Sequence, residues 1–127
     1  MKSFTYHNYV SPLDPQYHAT STPAGDRAEA LALKALGYGS SDARTVVSST
    51  KGLTGHGLSF AGVLEAAICV LCLGEGIVPG NAALTEPDPA CEGLRLPTTT
   101  EARELRYVLN NSSGFGGSNV CHLFSRS

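Results

Sequence analysis

The feature that most limits how this chain can fold is an apolar run at residues 58–74, LSFAGVLEAAICVLCLG, in which Glu65 is the only charged residue. The pattern predicts a helix from about His56 to Gly74 that is apolar on nearly every side. Such a helix belongs in a protein interior, so the fold has to cover it on more than one face. Because Glu65 interrupts the run and the run falls short of the ~20 residues that span a bilayer, we expect no membrane span.

The segments around this run alternate between helix and strand signals. In DRAEALALKALG the apolar residues share one stripe of a helix, which Asp26 or a nearby threonine is placed to cap and Gly37 to end. That stripe consists of Ala28, Leu31, Ala32, Ala35 and Leu36. ARTVVSSTK predicts a strand buried on both faces, and LRYVLNNSSGFGGSNVCHLFSR predicts two strands joined by a glycine-rich turn.

The alternation predicts an α/β fold, with a layered mixed sheet and one buried apolar helix. Three or four strands make a thin layer for such a helix, so the chain resembles half of a larger architecture. Residues 1–16 carry two prolines without clear periodicity and predict an irregular lead-in, with a possible short strand in FTYHNYV.

The charge pattern excludes two classes of partner. The 9 basic and 11 acidic residues leave a formal charge of -2, and no run of one sign stands out. Nucleic acids and anionic membranes both require a clustered basic surface, so we expect neither. The opening MKSFTYHNYV lacks the apolar core of a signal peptide, which predicts a cytoplasmic protein with its four cysteines reduced.

Cys69 and Cys72 form a CxxC pair that could be half of a zinc site. The pair lies inside the apolar helical run, where two small thiols on one face are ordinary core residues. His122, next to Cys121, is the one further candidate ligand, and a small cysteine-rich metal protein is the weaker alternative. We therefore predict no bound metal.

A first polar cluster is HATSTPAGDRAE, residues 18–29. His18, Thr20 and Thr22 alternate along it, so in an extended segment they point to the same side. Asp26 and Glu29 follow on the first helical turns. The alternative is a simple loop whose threonine or aspartate caps the helix.

A second cluster is STKGLTGH, residues 49–56, which places Lys51 five residues before His56 with glycines between them. Near a helix N-terminus the dipole disfavours protonation of His56, and a neutral imidazole can donate a hydrogen bond to a developing oxyanion. We expect Lys51 to form a buried ion pair with Glu29 beneath His56. The alternative is a solvated lysine and a surface histidine.

A third cluster is NNSSGFGGSN, residues 110–119, in which glycines surround Phe115. A hairpin turn is the ordinary explanation, although most hairpins need only two turn residues. A mobile aromatic side chain beside a pocket fits the composition better.

Taken in order, the three clusters resemble the C-terminal half of the β-ketoacyl-acyl carrier protein synthases, the condensing enzymes of the thiolase fold. HATSTPAGDRAE resembles the family's H-[AG]-T-x-T-x-x-x-D-x-x-E motif, and STKGLTGHGLSFAG its S-x-K-x-x-x-G-H-x-x-x-[AS]-x-G motif. NSSGFGGSN resembles N-S-F-G-F-G-G-x-N. The similarity runs from about Tyr17 to Ser125, so we assign residues 17–127 to this domain and 1–16 to the lead-in.

The resemblance implies a role for each matching residue. His18 and His56 polarise the thioester carbonyl and assist decarboxylation of a malonyl unit, while Lys51 and Glu29 anchor their polar network. The remaining matches contact substrate: Thr20 and Thr22 bind the phosphopantetheine arm, and Phe115 gates the site from a loop that includes Gly114 and Gly116. No resident cofactor is implied, because that arm arrives on an acyl carrier protein.

The departures from the family pattern concern the nucleophile and the first strand. The family's catalytic cysteine lies in an N-terminal half that this sequence lacks, which implies a separate cysteine-bearing partner half or self-association. Ser113 replaces the first phenylalanine of the loop, and the proline-bearing SPLDPQ replaces a strand. A catalytically inactive thiolase-type module that binds an acyl carrier protein or a partner synthase is the alternative.

Overall fold

The computed structural model describes residues 9–10, 15–16, 22–39, 45–82 and 84–126. The described helices are α1 (Pro23–Ala35), α2 (Lys51–Thr54) and α3 (Ala61–Glu75), with 3₁₀ turns at Leu58–Phe60 and Pro89–Cys91. The described strands are β1 (Tyr9–Val10), β2 (Pro15–Gln16), β3 (Val46–Val47), β4 (Ile77–Val78), β5 (Glu101–Ala102), β6 (Tyr107–Ser113) and β7 (Asn119–Ser125).

The sheet that organises the molecule is mixed. Strand β6 lies between β2, which runs parallel to it, and β7, which runs antiparallel. Two antiparallel pairs, β1–β3 and β4–β5, complete the described sheet structure. Pro15 pairs with Leu109 from the outer strand of the described sheet, where a missing backbone N–H removes no interior hydrogen bond. The predicted α/β class with a mixed sheet is confirmed.

Part of the segment assigned to the lead-in is extended. The strand expected in FTYHNYV is found at its end, Tyr9–Val10, and Pro15–Gln16 forms a second short strand. Both pair with the rest of the protein, so residues 1–16 are not wholly irregular.

Strand β3 separates two hydrophobic clusters, because its two side chains point to opposite faces. Val46 packs with the α3 residues Cys69 and Cys72 and with Val108 of β6. Val47 packs with α1 and with the loop around Cys91. Both valines are fully buried, which confirms the strand buried on both faces and makes the architecture layered, with helices on each side of the strands.

Helix α1 has the predicted ends but buries a different face. Thr22 is its N-cap, with Oγ1 accepting from the Gly25 N–H at 3.3 Å, and Gly37 beyond its last residue has a positive φ of 88°. The buried residues are Asp26, Ala30 and Leu33. The apolar stripe identified in the sequence is exposed, with Leu31 and Leu36 among the exposed large side chains. This chain therefore presents an uncovered apolar stripe on α1.

Helix α3 is buried on one face only. Ala61, Glu65, Cys69, Cys72 and Leu73 point inward. Exposed apolar side chains on and just before the helix include Leu58, Phe60, Val63, Val70 and Leu71. The expectation of a helix enclosed all round is wrong for this chain alone, since its strands cover one side.

By length and composition alone, the helical run from Leu58 to Glu75 is also able to cross a membrane, contrary to the expectation from its sequence. The core helix of a soluble protein passes the same test, so this is weak evidence for a span.

Candidate active site

A buried ion pair lies at the centre of the second polar cluster. Strand β3 leads into three buried hydroxyl residues, Ser48–Thr50, and α2 begins directly after them at Lys51. The Lys51 Nζ pairs with Oε1 of Glu65, in the middle of α3, and the two side chains are only 4% and 3% exposed. The lysine is therefore not a solvated surface residue.

The partner of Lys51 is not the one predicted from the sequence. Lys51 pairs with Glu65, and Glu29 instead accepts a hydrogen bond from Asn111 Nδ2 at 3.4 Å. The expected Lys51–Glu29 pair is therefore wrong. The sequence did contain a signal for Glu65, because a lone carboxylate inside an apolar helix has to find a positive partner when it is buried.

Two features of the environment of Glu65 have opposite effects on its pKa. Burial raises the pKa of Glu65, while the hydrogen bond and the charge of Lys51 lower it again. The second carboxylate oxygen, Oε2, accepts no hydrogen bond from the residues that the structure describes. The pair therefore presents one buried acceptor for a further donor.

His56 lies on an exposed turn between α2 and α3. The turn depends on Gly55, whose φ is 71°, and on Leu58, the one described non-glycine residue with a positive φ, at 51°. The Leu58 N–H donates to Nδ1 of His56 at 3.3 Å. An imidazole that accepts at Nδ1 carries its proton on Nε2 when neutral, so His56 is oriented as an Nε2–H donor.

The end of β6 brings the clusters together. Asn110 donates from Nδ2 to the Gly62 carbonyl of α3 at 3.3 Å, and Asn111 donates to Glu29 of α1. Ser112 returns to α3, where a Cβ on Gly62 would meet its Oγ at 3.2 Å. The root of the glycine-rich loop thus contacts α1 and the start of α3, six residues after His56.

The glycine-rich segment is a hairpin connection, and its aromatic residue is exposed. Gly114 donates its N–H to the Ser118 carbonyl at 2.7 Å to close the turn. Gly116 and Gly117 adopt φ values of 82° and 83°, which disfavour any other residue. Phe115, at the tip, is 96% exposed. The ordinary explanation of this segment as a hairpin is correct, and Phe115 has no packing role within the described chain.

We expect Phe115→Ala to change the free energy of unfolding by less than ~0.5 kcal/mol, because an exposed side chain loses almost no contacts. Val108→Ala, at a position only 1% exposed, should cost about 2 kcal/mol and is the matched control. Urea denaturation of the two variants provides the comparison. Equal losses would show that Phe115 is packed in solution.

The remaining predicted site residues divide into two groups. His18 and Thr20 lie outside the described residues. Thr22 is described and serves as the N-cap of α1, as the capping alternative for the first cluster expected. Asn111, which donates to Glu29, is the first residue of the NSSGFGGSN motif, but no role was assigned to it from the sequence.

The cysteines of this chain are poor nucleophiles. Cys69 and Cys72 are buried as predicted, and burial raises the pKa of both thiols, to about 11 for Cys72. Cys91 is also buried. Cys121 is exposed on β7, yet partial burial of its thiol raises its pKa as well. The raised pKa values of Cys69, Cys72 and Cys121 disfavour the thiolate form that a nucleophile requires.

Zinc analysis of the untagged protein should find well below one metal ion per chain. Cys69 and Cys72 pack among apolar side chains, and no group of three or more possible ligands is found within the described residues. Elemental analysis after dialysis provides the measurement. Stoichiometric zinc would contradict the assignment of this CxxC to the core.

Comparison with known proteins identifies the architecture. Residues 15–85, more than half of the chain, match the family described as Beta-ketoacyl synthase, C-terminal domain. The chain belongs to this family. It is similar to the mitochondrial 3-oxoacyl-[acyl-carrier-protein] synthase of Arabidopsis thaliana, with 42% identity over 110 residues, which cover 85% of this chain and 24% of the relative. Synthase 1 of Escherichia coli K12 is 40% identical over 115 residues, covering 90% of this chain and 28% of the relative.

The structural comparison agrees with the sequence match. A type II polyketide synthase acyl-carrier protein has been solved in complex with its ketosynthase bound to the hexaketide. This β-ketoacyl synthase domain superposes on a chain of that complex with a TM-score of 0.81 and 26% identity, over 92% of its own length and 28% of the other chain. The predicted thiolase-like ketosynthase fold is confirmed, and the domain spans about a quarter of the length of its relatives.

Proposed function

We propose that this domain is the C-terminal half of a β-ketoacyl-acyl carrier protein synthase that performs decarboxylative Claisen condensation. The observation that carries the proposal is the meeting of the three polar clusters. Glu29 of the first cluster contacts Asn111 of the third, and the start of α3, just after His56, packs against the same strand end. Residues that are far apart in sequence thus converge where the motif match assigns one site.

The geometry of His56 suits the electrostatic part of this reaction. Loss of carbon dioxide from a malonyl thioester leaves an enolate, whose oxygen needs a hydrogen-bond donor. Attack of the enolate carbon on an acyl thioester forms the new carbon–carbon bond and a second oxyanion, whose collapse breaks the carbon–sulfur bond and releases the cysteine thiolate. His56, with Nδ1 occupied by the Leu58 N–H, is arranged to donate from Nε2 to one of these oxygens. We assign the other donor to His18.

The Lys51–Glu65 pair stabilises the turn that carries His56. Lys51 begins α2, whose C-terminal Gly55 donates its N–H back to the Lys51 carbonyl at 2.9 Å and directly precedes His56. The buried ion pair joins α2 to α3 across the turn that carries His56. A turn fixed at both ends holds the imidazole without reorganisation during the reaction, which is how electrostatic stabilisation becomes effective.

The acyl-enzyme nucleophile belongs to a separate N-terminal half, because the four cysteines here are buried or have raised pKa values. The substrates arrive on an acyl carrier protein, whose phosphopantetheine arm we place along Thr20 and Thr22. We assign the role of a gate to Phe115, which is exposed on its glycine-rich hairpin. We propose no resident cofactor.

The test is decarboxylation of malonyl-acyl carrier protein by this domain combined with a cysteine-bearing N-terminal ketosynthase half. His56→Ala should lower the rate of carbon dioxide release by roughly a hundredfold or more, the usual effect of losing one oxyanion donor. His122→Ala is the matched control, since His122 is exposed on β7, where it stacks on Phe124. Equal rates for the two variants would refute the role of His56. Carrier-protein binding without turnover would identify an inactive binding module.

A further inference from the structure

The last residues of β6 contact two helices in alternation. Asn110 and Ser112 face α3: Asn110 is fully buried and donates to the Gly62 carbonyl, and Ser112 packs against the bare Cα of Gly62. Asn111 points to the opposite face, as the alternation of a strand requires, and reaches α1. The same segment continues into the loop that carries Phe115. The strand end that leads into this loop is therefore held by contacts with α3 on one face and α1 on the other.

The contact with α1 is a hydrogen bond to a charged group. Asn111 Nδ2 donates to Oε1 of Glu29 at 3.4 Å, in a half-buried position. The two residues are 82 positions apart, so this bond fixes the third cluster relative to the first. An amide donor stabilises an ionised carboxylate and also restricts its direction. Asn111 itself is held in register by its partner on β7, Cys121.

We propose that Asn111 is a positioning residue that orients the Glu29 carboxylate and couples it to the root of the Phe115 loop. This inference rests on the proposed function of the domain. The Asn111 amide keeps α1 and the strand end at a fixed separation. Movement of the loop is then transmitted through this hydrogen bond to the Glu29 carboxylate on α1. Loss of the donor removes this link between the strand end and α1.

A donor–acceptor exchange tests the contact without reference to catalysis. Asn111→Asp has the same shape but places a second carboxylate against Glu29, so the urea midpoint should fall at pH 7 and recover toward pH 4 as the carboxylates protonate. Combining Asn111→Asp with Glu29→Gln restores one donor and one acceptor and should recover most of the midpoint at pH 7. Strictly additive effects of the two substitutions would show that the residues do not interact, and would overturn the proposal.

Activity of the assembled enzyme then separates positioning from a merely structural contact. Asn111→Leu should lower kcat/KM roughly tenfold to a hundredfold, mainly through kcat, at a temperature where the variant is folded. The exchanged pair should recover part of that loss. If the exchange experiment shows that the two residues interact but the variants retain full kcat, the positioning role is rejected. If the unaltered enzyme does not condense substrates, the proposed function fails, while the exchange experiment still decides whether Asn111 holds Glu29.

Discussion

Lys51→Met should destabilise the protein by about 3–5 kcal/mol, because it leaves the Glu65 carboxylate buried without its positive partner. Both side chains are almost completely excluded from solvent, so water cannot replace the lost interaction. The free energy of unfolding in urea measures the effect. The exposed pair Arg95–Glu101, at 2.5 Å, provides the matched control: Arg95→Met should cost less than about 1 kcal/mol.

The double variant Lys51→Met with Glu65→Leu separates the value of the pair from the cost of a lone charge. Replacing both partners by apolar groups of similar size should return the stability close to that of the parent or above it. Recovery would show that the loss in Lys51→Met comes from the stranded carboxylate. A double variant as unstable as the single one would instead mean that Lys51 acts through other contacts.

The loss in Lys51→Met should also depend on pH. Burial raises the pKa of Glu65, and Lys51 is the group that lowers it again, so the variant keeps only the upward shift. In the unfolded chain a glutamate has a pKa of about 4.3, and in the folded variant the pKa of Glu65 is higher. The folded state is therefore at no disadvantage below pH 4.3, where the carboxyl is protonated in both states. It loses stability as the pH rises through the folded pKa, because the buried carboxyl then has to ionise. The deficit should therefore be smallest near pH 4 and grow toward neutrality. A deficit independent of pH would contradict the ion-pair explanation.

Features determined by short stretches of sequence could be predicted. The β-branched VV of β3 and the glycine-rich hairpin between β6 and β7 follow from local patterns, as do the threonine cap and glycine end of α1. The family motifs are also local, which is why Lys51 and His56 could be named as candidate site residues without knowledge of the fold.

Features determined by long-range packing could not be predicted in this way. Lys51 pairs with Glu65 and not with Glu29 because α3, and not α1, brings its carboxylate to the start of α2. The sequence alone does not determine which helix does so. The apolar stripe of α1 predicts a buried face only when the chain contains something to cover it. Here Leu31 and Leu36 are exposed, while the face with Ala30 and Leu33 packs against the loop around Cys91.

Two exposed apolar surfaces therefore have a common explanation. The outer face of α3 presents Val63 and Leu71, 66% and 64% exposed, and α1 presents its own stripe. Soluble proteins rarely leave such patches bare, since burial gains roughly 25 cal/mol per Å². Because the domain spans about a quarter of its relatives, we propose that the remainder of a synthase covers both surfaces.

The isolated chain should neither condense acyl and malonyl thioesters nor elute as a monomer in sizing chromatography. Under the proposed function its histidines act on an acyl-cysteine that this domain does not supply, and a site without a nucleophile cannot hold the covalent intermediate. Addition of a cysteine-bearing N-terminal half should give a defined complex and restore turnover from an undetectable level. A well-behaved monomer that condenses both thioesters alone would refute the split of the active site.

A charge introduced on the exposed face of α3 distinguishes specific pairing through this face from nonspecific association. Leu71→Glu should leave the fold of the chain intact, because the side chain already faces water, yet it should abolish both pairing and turnover by placing a carboxylate in the new apolar contact. Ala102→Glu adds the same charge at an exposed position on β5, outside α3, and should leave pairing unchanged. If both variants pair equally well, α3 is covered by something other than the N-terminal half. If both lose pairing, net charge rather than this helix face governs the association.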